Sequence, residues 1–217
     1  MFKKMMKKST YLFKLIVVLA LFSCDRSDDY QPGTGTEFTF ATVYGQWTYF
    51  SFATGDIVGI GTANAATDEL WRERTDWDLA FLINNVRTNS GTSGIGLGGA
   101  RYAGTADFDS VNGAPLDGYT VDTDANIMYN MLPMVGPVRG DFPVNTAFIW
   151  TEEDGNNYVV DPKVFVVKTA DGKYAKVFIK RMVTDPENRF GRILTMEYFY
   201  QPDGSRFLIT EPAILID

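Results

Sequence analysis

From about residue 38 onward, the chain alternates apolar and polar residues in the manner of β-strands. Thr39–Phe52 is dense in aromatic and β-branched residues, which suit a pleated, half-buried surface. Around Trp77 the alternation is strict and predicts that Trp77, Leu79 and Phe81 share one face of a strand. The pattern therefore predicts strands along most of the chain.

Two Asp-Gly turns organise these strands into hairpins. Lys163–Thr169 and Tyr174–Arg181 flank Asp171-Gly172, and Ile193–Tyr200 and Arg206–Thr210 flank Asp203-Gly204. Asp-Gly between two strand-like runs is a strong hairpin signal. The best helical candidate is Asn64–Arg74, where Leu70 and Trp71 are apolar among charges. We expect one all-β domain of multiple antiparallel strands and hairpins over residues 38–217, with at most short helices.

The N-terminus has the composition of a signal peptide. Five lysines within the first 14 residues precede the apolar run Leu15–Phe22. This run is too short for a permanent anchor, because a membrane-spanning helix needs about 20 apolar residues. A basic region, a short apolar core and small residues at a cut site predict a signal peptide over residues 1–23.

The end of the apolar run resembles the lipobox of bacterial lipoproteins, in the sequence Leu21-Phe22-Ser23-Cys24. In that family the cysteine thiol receives diacylglycerol, the chain is cut before the cysteine, and the new amine is acylated, for example with palmitate. Cys24 is the only cysteine, and we expect it to be the lipid attachment site. Residues 24–37 are polar and predict a flexible tether. Within it, Ser27-Asp28-Asp29 resembles the export signals of Bacteroidetes lipoproteins, which implies an outer-membrane protein facing the cell exterior.

Acidic residues dominate the mature chain. Five of the 20 Lys and Arg belong to the signal peptide, which leaves 15 against 27 Asp and Glu, a net charge of −12. Such a surface repels nucleic acid and anionic lipid headgroups. We therefore expect no nucleic-acid partner, and a membrane contact made only by the lipid, at about 0.8 kcal/mol per buried methylene.

The chain contains no histidine. This excludes Ser-His-Asp and Cys-His nucleophile systems and removes the commonest ligand of zinc, copper and haem iron. Paired carboxylates remain for acid–base chemistry: Asp76 and Asp78 bracket a tryptophan, and Glu152–Asp154 are consecutive. The second group runs into Gly155-Asn156-Asn157, which favours a solvated turn. We expect no catalytic residues.

Two further segments have partial ligand-binding patterns. Asp122, Asp124 and Asn126 are spaced like calcium ligands, but the invariant glycine and closing glutamate of an EF-hand are missing. The glycine-rich segment Arg87–Arg101 lacks the Gly-Lys-Ser/Thr and the following helix of a phosphate-binding loop. Two interpretations of it stay open: a loop whose backbone packs closely, and a wall of a ligand pocket near Asn89–Gly99.

Several motifs, taken in order, resemble the HmuY family. They are Trp47-x-Tyr49-Phe50-Ser51-Phe52 with Gly55, Trp77-Asp78-Leu79-Ala80, the glycine-rich run Arg87 to Ala100, Asp117-Gly118-Tyr119-Thr120-Val121-Asp122, and Val164-Phe165-Val166-Val167 with Ala170-Asp171-Gly172 and Ala175-Lys176-Val177. The match runs from about residue 40 to 200. The resemblance implies an all-β fold that holds haem or a related porphyrin between loops at one end. It also implies a surface lipoprotein that takes haem from host haemoproteins and passes it to a TonB-dependent outer-membrane receptor.

The family's ligand pattern is incomplete in this chain. The best-known member of the family binds haem iron with two histidines, one in the loop after the segment that matches Asp117–Asp122 and one just before the strand that matches Tyr158–Val167. Some relatives use methionine, and the first loop of this chain offers Met128, Met131 and Met134. Thioether sulfur is an accepted haem ligand. We expect a methionine from this group, above all Met131 or Met134, to ligate haem iron, with no other metal bound.

The second ligand position offers no methionine. Glu152 is the nearby hard ligand there and is a weaker candidate, while Met182 and Met196 lie in strand patterns and are expected in the core. Two other functions stay open: a surface lipoprotein that binds a glycan or peptide on the same fold, and a hydrolase that uses carboxylates.

Overall fold

A computed structural model describes residues 35–130, 137–148, 150–154 and 157–210. All of them belong to one unit, Pro32–Asp217. The elements in chain order are β1 Thr36–Val43, β2 Gln46–Ser51, β3 Asp56–Thr62, α1 Ala65–Arg72, β4 Leu79–Leu82, β5 Asn85–Thr88, β6 Gly99–Tyr102, β7 Thr123–Asn130, β8 Pro137–Val144, β9 Thr151–Asp154, β10 Asn157–Val160, β11 Val164–Lys168, β12 Tyr174–Thr184 and β13 Gly191–Gln201. The all-β prediction, with one short helix, is confirmed. Within these ranges, no helix is long and apolar enough to span a bilayer.

Two antiparallel sheets enclose the main core. One has the order β1-β13-β12-β11-β6 and the other β3-β2-β4-β5. The chain passes from the first sheet to the second at Tyr44-Gly45, where Gly45 has a φ of 77°. Aromatic and aliphatic side chains from both sheets meet between them, including Phe40, Phe50, Phe81, Phe165, Val167 and Leu194. Met182 and Met196 are buried in this cluster, as the sequence predicts.

The central strand β4 is buried on both faces. Leu79 and Phe81 pack in the cluster between the sheets, whereas Ala80 and Leu82 pack in a second cluster on the other side of the four-stranded sheet. Trp77 belongs to that second cluster. The prediction that Trp77 shares a face with Leu79 and Phe81 is therefore wrong, because Trp77 precedes the strand and turns to the opposite side.

Helix α1 covers the edge strand β3. Its N-cap Asn64 accepts a hydrogen bond from the Thr67 amide at 3.0 Å through its side-chain oxygen, which satisfies an amide that the first turn leaves without a helical partner. Trp71 stacks on Tyr49 with ring centroids 3.8 Å apart. The helix lies inside the predicted Asn64–Arg74 segment.

The Asp171-Gly172 hairpin is confirmed, because β11 pairs antiparallel with β12 across this turn. The Asp203-Gly204 hairpin is wrong. The turn forms, with Gly204 at a φ of 77°, but Phe207 bridges Gly113 instead of pairing with β13. Both edges of β13 are already occupied, by β1 and β12, and no position remains for a returning strand.

Candidate functional site

Two consecutive hairpins, each a two-stranded sheet of its own, are joined by a short connector. Strands β7 and β8 pair from Thr123↔Val144 to Asn130↔Pro137, and β9 pairs with β10. Only residues 145–150 separate β8 from β9. Phe148 and Trp150 fix this connector to the main core, since both are buried there, and the Phe148 ring stacks on Phe165 at 4.2 Å.

The longer hairpin carries the predicted methionine loop. Met128 lies on β7 opposite Arg139, in agreement with the strand-like start expected there. It is five residues beyond Thr123, or roughly 17 Å along the strand. Met131 and Met134 lie between β7 and β8 in the sequence and are outside the described residues. Cys24 and the signal peptide are also outside the described residues.

The shorter hairpin carries Glu152, which pairs with Val159. Glu152 is two residues after Trp150 and therefore roughly 7 Å from the connector. The expected solvated turn at Glu152–Asp154 is wrong, because these acids form strand β9. The run was ambiguous because three consecutive acidic residues in a four-residue strand hide its alternation. The backbone thus brings Met128 and Glu152 onto neighbouring hairpins at different distances from their common connector.

Asp122, the residue before β7, is bound on all sides by the segment from Thr88 to Ser93. Its carboxylate accepts hydrogen bonds from the Thr88 amide at 3.0 and 3.1 Å, the Thr88 hydroxyl at 2.5 Å and the Ser93 hydroxyl at 2.6 Å. Its amide donates to Ser90 Oγ at 3.1 Å, and its carbonyl accepts from the Thr92 amide at 3.1 Å. The start of the long hairpin is therefore fixed by both side chain and backbone.

Burial raises the pKa of the Asp122 carboxyl, and the hydrogen bonds from Ser93 and Thr88 oppose that rise. The side chain is 1 % exposed. These contacts also argue against a calcium site at Asp122, Asp124 and Asn126, because the Asp122 oxygens are engaged by protein donors and Asp124 lies exposed on β7. This buried carboxylate accepts four hydrogen-bond contacts and so stabilises the end of the β7–β8 hairpin next to Asp122 and Asn145, which we call the hairpin root.

Asn145, the residue after β8, fixes the other end of the same hairpin. Its amide donates to Val86 O at 2.9 Å, and its side-chain nitrogen donates to Thr120 O at 2.6 Å. Ala125 and Phe142 near the same end pack against the second apolar cluster. Both ends of the long hairpin are thus held to strand β5 and the residues around it.

The glycine loop packs closely on polar side chains. A Cβ at Gly91 would lie 2.0 Å from Asp122 O, and Gly91 has a φ of 53°. Gly94 and Gly96 leave similarly little room beside the side chain of Asn89, whose Nδ2 donates to Arg74 O and Trp77 O at 2.8 and 2.9 Å. The close-packing interpretation of this loop is confirmed, and the loop lies against the hairpin root.

An acidic cleft of about 230 Å³ lies elsewhere, lined by Ser51, Ala53, Thr54, Val58, Thr75, Asp76, Asp78, Asp171 and Tyr200. Its carboxylates have protein partners. Asp78 accepts from the Phe52 and Ala170 amides, both at 2.8 Å, and the hydrogen bond from Arg74 lowers the pKa of Asp76. In the part of the chain that the structure describes, no three acids, cysteines or histidines are grouped to hold a metal ion. Asp76 and Asp78 of this cleft are thus engaged by donors from the protein itself.

The family comparison covers most of this architecture. The model of the HmuY protein family matches residues 43–198, a range that contains both hairpins, their connector and the glycine loop. The chain belongs to the HmuY family. No curated protein sequence matches it.

Solved structures give the same fold for this HmuY-family chain. Apo PinO from Porphyromonas gingivitis has a TM-score of 0.56 and 23% identity, and covers 77% of this chain and 98% of its own. A protein from Bacteroides vulgatus described as HmuY-like and haem-binding has a TM-score of 0.55 and 24% identity, with 77% and 97% covered. The apo HmuY analog of Tannerella forsythia, TFO, has a TM-score of 0.54 and 24% identity, with 79% and 98% covered.

Sequence reasoning missed the residues that hold the hairpins in place. Asp122 was noticed as part of a calcium-like series and as the last residue of the Asp117–Asp122 motif, but neither gave it a role in holding a hairpin, and Asn145 carried no signal. Buried polar residues look like surface residues in a sequence, since their partners are distant: Asp122 and Thr88 are 34 residues apart. The one signal that could have found Asp122 was its place at the end of the Asp117–Asp122 motif, just before a strand.

Proposed function

We propose that this HmuY-family protein is a haem- or porphyrin-binding lipoprotein of the outer membrane. The observation that carries the proposal is the family match over residues 43–198, which includes both hairpins. The Bacteroides vulgatus protein of the same fold is described as haem-binding, and this supports the choice of ligand. The protein acts by binding and not by catalysis.

The chain must hold haem iron without imidazole, because it has no histidine. We assign the iron ligand to the methionine group on and after β7: Met131 and Met134 first, and Met128 third. Neutral thioether matches ferrous iron better than ferric iron, so binding strengthens on reduction. Glu152 near the root of the short hairpin is the second-position candidate, and a carboxylate would favour ferric iron instead.

The proposed location rests on the predicted lipid anchor and on the net charge of the mature chain. Acylated Cys24 and the tether through residue 37 hold the domain at the outer face of the outer membrane. The domain captures haem from host haemoproteins and passes it to a TonB-dependent receptor. The net charge of −12 leaves the lipid as the only membrane contact.

The test is a spectral titration of the domain lacking residues 1–23 with haemin, with and without dithionite. We expect a Soret band that saturates at one equivalent, and a lower dissociation constant in dithionite. Met131→Ala and Met134→Ala together should weaken binding of reduced haem by roughly tenfold or more and shift the Soret maximum. Met182→Leu, which conserves volume in the core, is the matched control and should change neither.

The outcomes separate the parts of the proposal. If the parent gives no saturable Soret band, haem is not the ligand, and binding of a glycan or peptide takes its place. If the parent binds haem and the double variant behaves like the parent, the methionines of this group do not ligate iron and pack against other residues.

A further inference from the structure

We infer that Asp122 is a positioning residue for the β7–β8 hairpin, called the ligand hairpin below: its contacts with the glycine loop fix where β7 starts, and thereby the direction of the strand that carries Met128. The inference rests on the proposed function as far as haem is concerned. Its structural half, that Asp122 controls the order of the β7–β8 hairpin, stands on the contacts alone.

The geometry of Asp122 differs from that of an ordinary buried acid. The carboxylate, amide and carbonyl of this one residue each bind the segment Thr88–Ser93. That segment packs tightly on Asp122, because Gly91 approaches the Asp122 carbonyl too closely to admit a Cβ. A residue tied at three points to a tightly packed loop has little freedom of direction, and the strand that follows inherits that direction.

The described side chains of this hairpin contact the rest of the molecule at its first rungs. Its first rungs are held by Asn145 and by Ala125 and Phe142 on the second apolar cluster. Beyond them, β7 and β8 form their own two-stranded sheet, separate from the two larger sheets. A small angular change at the root is therefore multiplied along the hairpin, since Met128 is roughly 17 Å from Thr123.

Asp122→Asn tests the contacts with almost no change of shape. The Thr88 amide donates to both carboxylate oxygens, so an NH₂ group in place of one oxygen opposes a backbone N–H that cannot turn away. Hydroxyl groups such as that of Ser93 can rotate and accept instead. Ser93→Ala is a milder second variant, because it removes a single donor, the one 2.6 Å from Asp122 Oδ2.

Asp78 provides a matched control. It too is a buried carboxylate that accepts two backbone hydrogen bonds, from Phe52 and Ala170, and burial raises its pKa as well. Its partners lie at the end of β2 and in the β11–β12 turn, and not on the ligand hairpin. Asp78→Asn and Ser51→Ala, which removes a hydroxyl that supports Asp78, match the two test variants in chemistry.

The first measurement is amide hydrogen exchange in the protein without haem. We expect Asp122→Asn to speed exchange over Thr123–Asn130 and Pro137–Val144 by at least about tenfold, and by clearly more than over β12 and β13. Ser93→Ala should do the same to a smaller degree. The two controls should leave the ratio of hairpin exchange to core exchange as in the parent. Equal acceleration of hairpin and core in Asp122→Asn and Ser93→Ala would overturn the inference, because it is the result of general destabilisation.

The second measurement is the haemin titration. If the parent binds haem, Asp122→Asn should raise the dissociation constant at least about tenfold and shift the Soret maximum, while Asp78→Asn leaves the Soret position unchanged. An unchanged spectrum and affinity in Asp122→Asn would overturn the positioning role. If the parent binds no haem, the proposed function fails, and the exchange experiment alone decides whether Asp122 orders the hairpin.

Discussion

Lys176 is a fully buried lysine inside strand β12. Its Nζ donates to Phe108 O at 2.8 Å, Val111 O at 3.1 Å and Thr210 Oγ1 at 3.2 Å. Burial lowers the pKa of Lys176 to about 8, and Asp109, Glu197 and Asp107 oppose the shift. As the pH rises, Lys176 therefore loses its proton at a lower pH in the folded chain than in the unfolded one.

This shift makes stability depend on pH in a defined direction. Between about pH 8 and the ordinary lysine value near 10.4, the unfolded chain binds more protons at this position, so the free energy of unfolding rises with pH. We expect that rise, at most roughly 3 kcal/mol in full, in the parent and not in Lys176→Met. Urea unfolding at pH 7.5, 8.5 and 9.5 measures it. The range stops there because burial raises the pKa of Tyr49 and Tyr119, which lowers stability at higher pH.

Parallel pH profiles for the two proteins would contradict this prediction. Lys168→Met is a suitable control, since Lys168 is a half-buried lysine on the neighbouring strand. Its removal should leave the slope of the parent intact.

At the residue scale, sequence patterns predicted apolar burial well and polar burial poorly. Met182 and Met196 are in the core as expected. Lys176 alternates with buried Ala175 and Val177, and alternation alone assigns it to solvent. It is buried because the segment with Phe108 and Val111 covers that face of the sheet, and no local pattern encodes this distant cover.

The elements illustrate the same difference between local and distant causes. The Asp171-Gly172 hairpin was predictable because turn and strands are adjacent in sequence. The prediction of a second hairpin at Asp203-Gly204 failed because one edge of β13 is occupied by β1, a strand more than 150 residues away from that turn. Strand β8 escaped notice because Pro137 and Pro143 discourage a strand assignment, yet both are tolerated in a strand that pairs only with β7.

Helix α1 gives a prediction at this scale. Asn64→Ala removes the side-chain oxygen that accepts from the Thr67 amide, and should lower the free energy of unfolding by about 1 kcal/mol. The helix should persist, because Trp71 still stacks on Tyr49 and Asp68 still pairs with Arg87 at 3.2 Å. Chemical denaturation measures the loss.

Asn64→Asp serves as the control, because it retains an oxygen acceptor at the cap and should cost little. A loss of the same size in both variants would mean that the cap oxygen is not the source of the stability.

For the whole molecule, the ordered set of motifs predicted family and fold, which the match over residues 43–198 confirms. The motifs did not predict how the two hairpins are rooted. A family pattern records which side chains recur along the chain, whereas the root depends on pairs such as Thr88 with Asp122 and Val86 with Asn145. The glycine loop was noticed for its composition, and its role came only from what its glycines touch.

The attachment of the whole molecule to a membrane depends, in our prediction, on one sulfur atom. Cys24 is the only cysteine, so Cys24→Ser removes every thiol that could carry diacylglycerol. We expect the full-length variant to leave the membrane fraction or to accumulate as an uncut precursor, and to lose labelling by radioactive palmitate. We expect no second attachment from the mature chain, because its net charge of −12 is repelled by anionic headgroups. Thr34→Ala, in the same tether and outside the Ser27–Asp29 segment, is the control and should remain membrane-bound and labelled. Membrane retention and palmitate labelling of Cys24→Ser equal to those of the parent would show that the protein is held by some other contact than a lipid on Cys24.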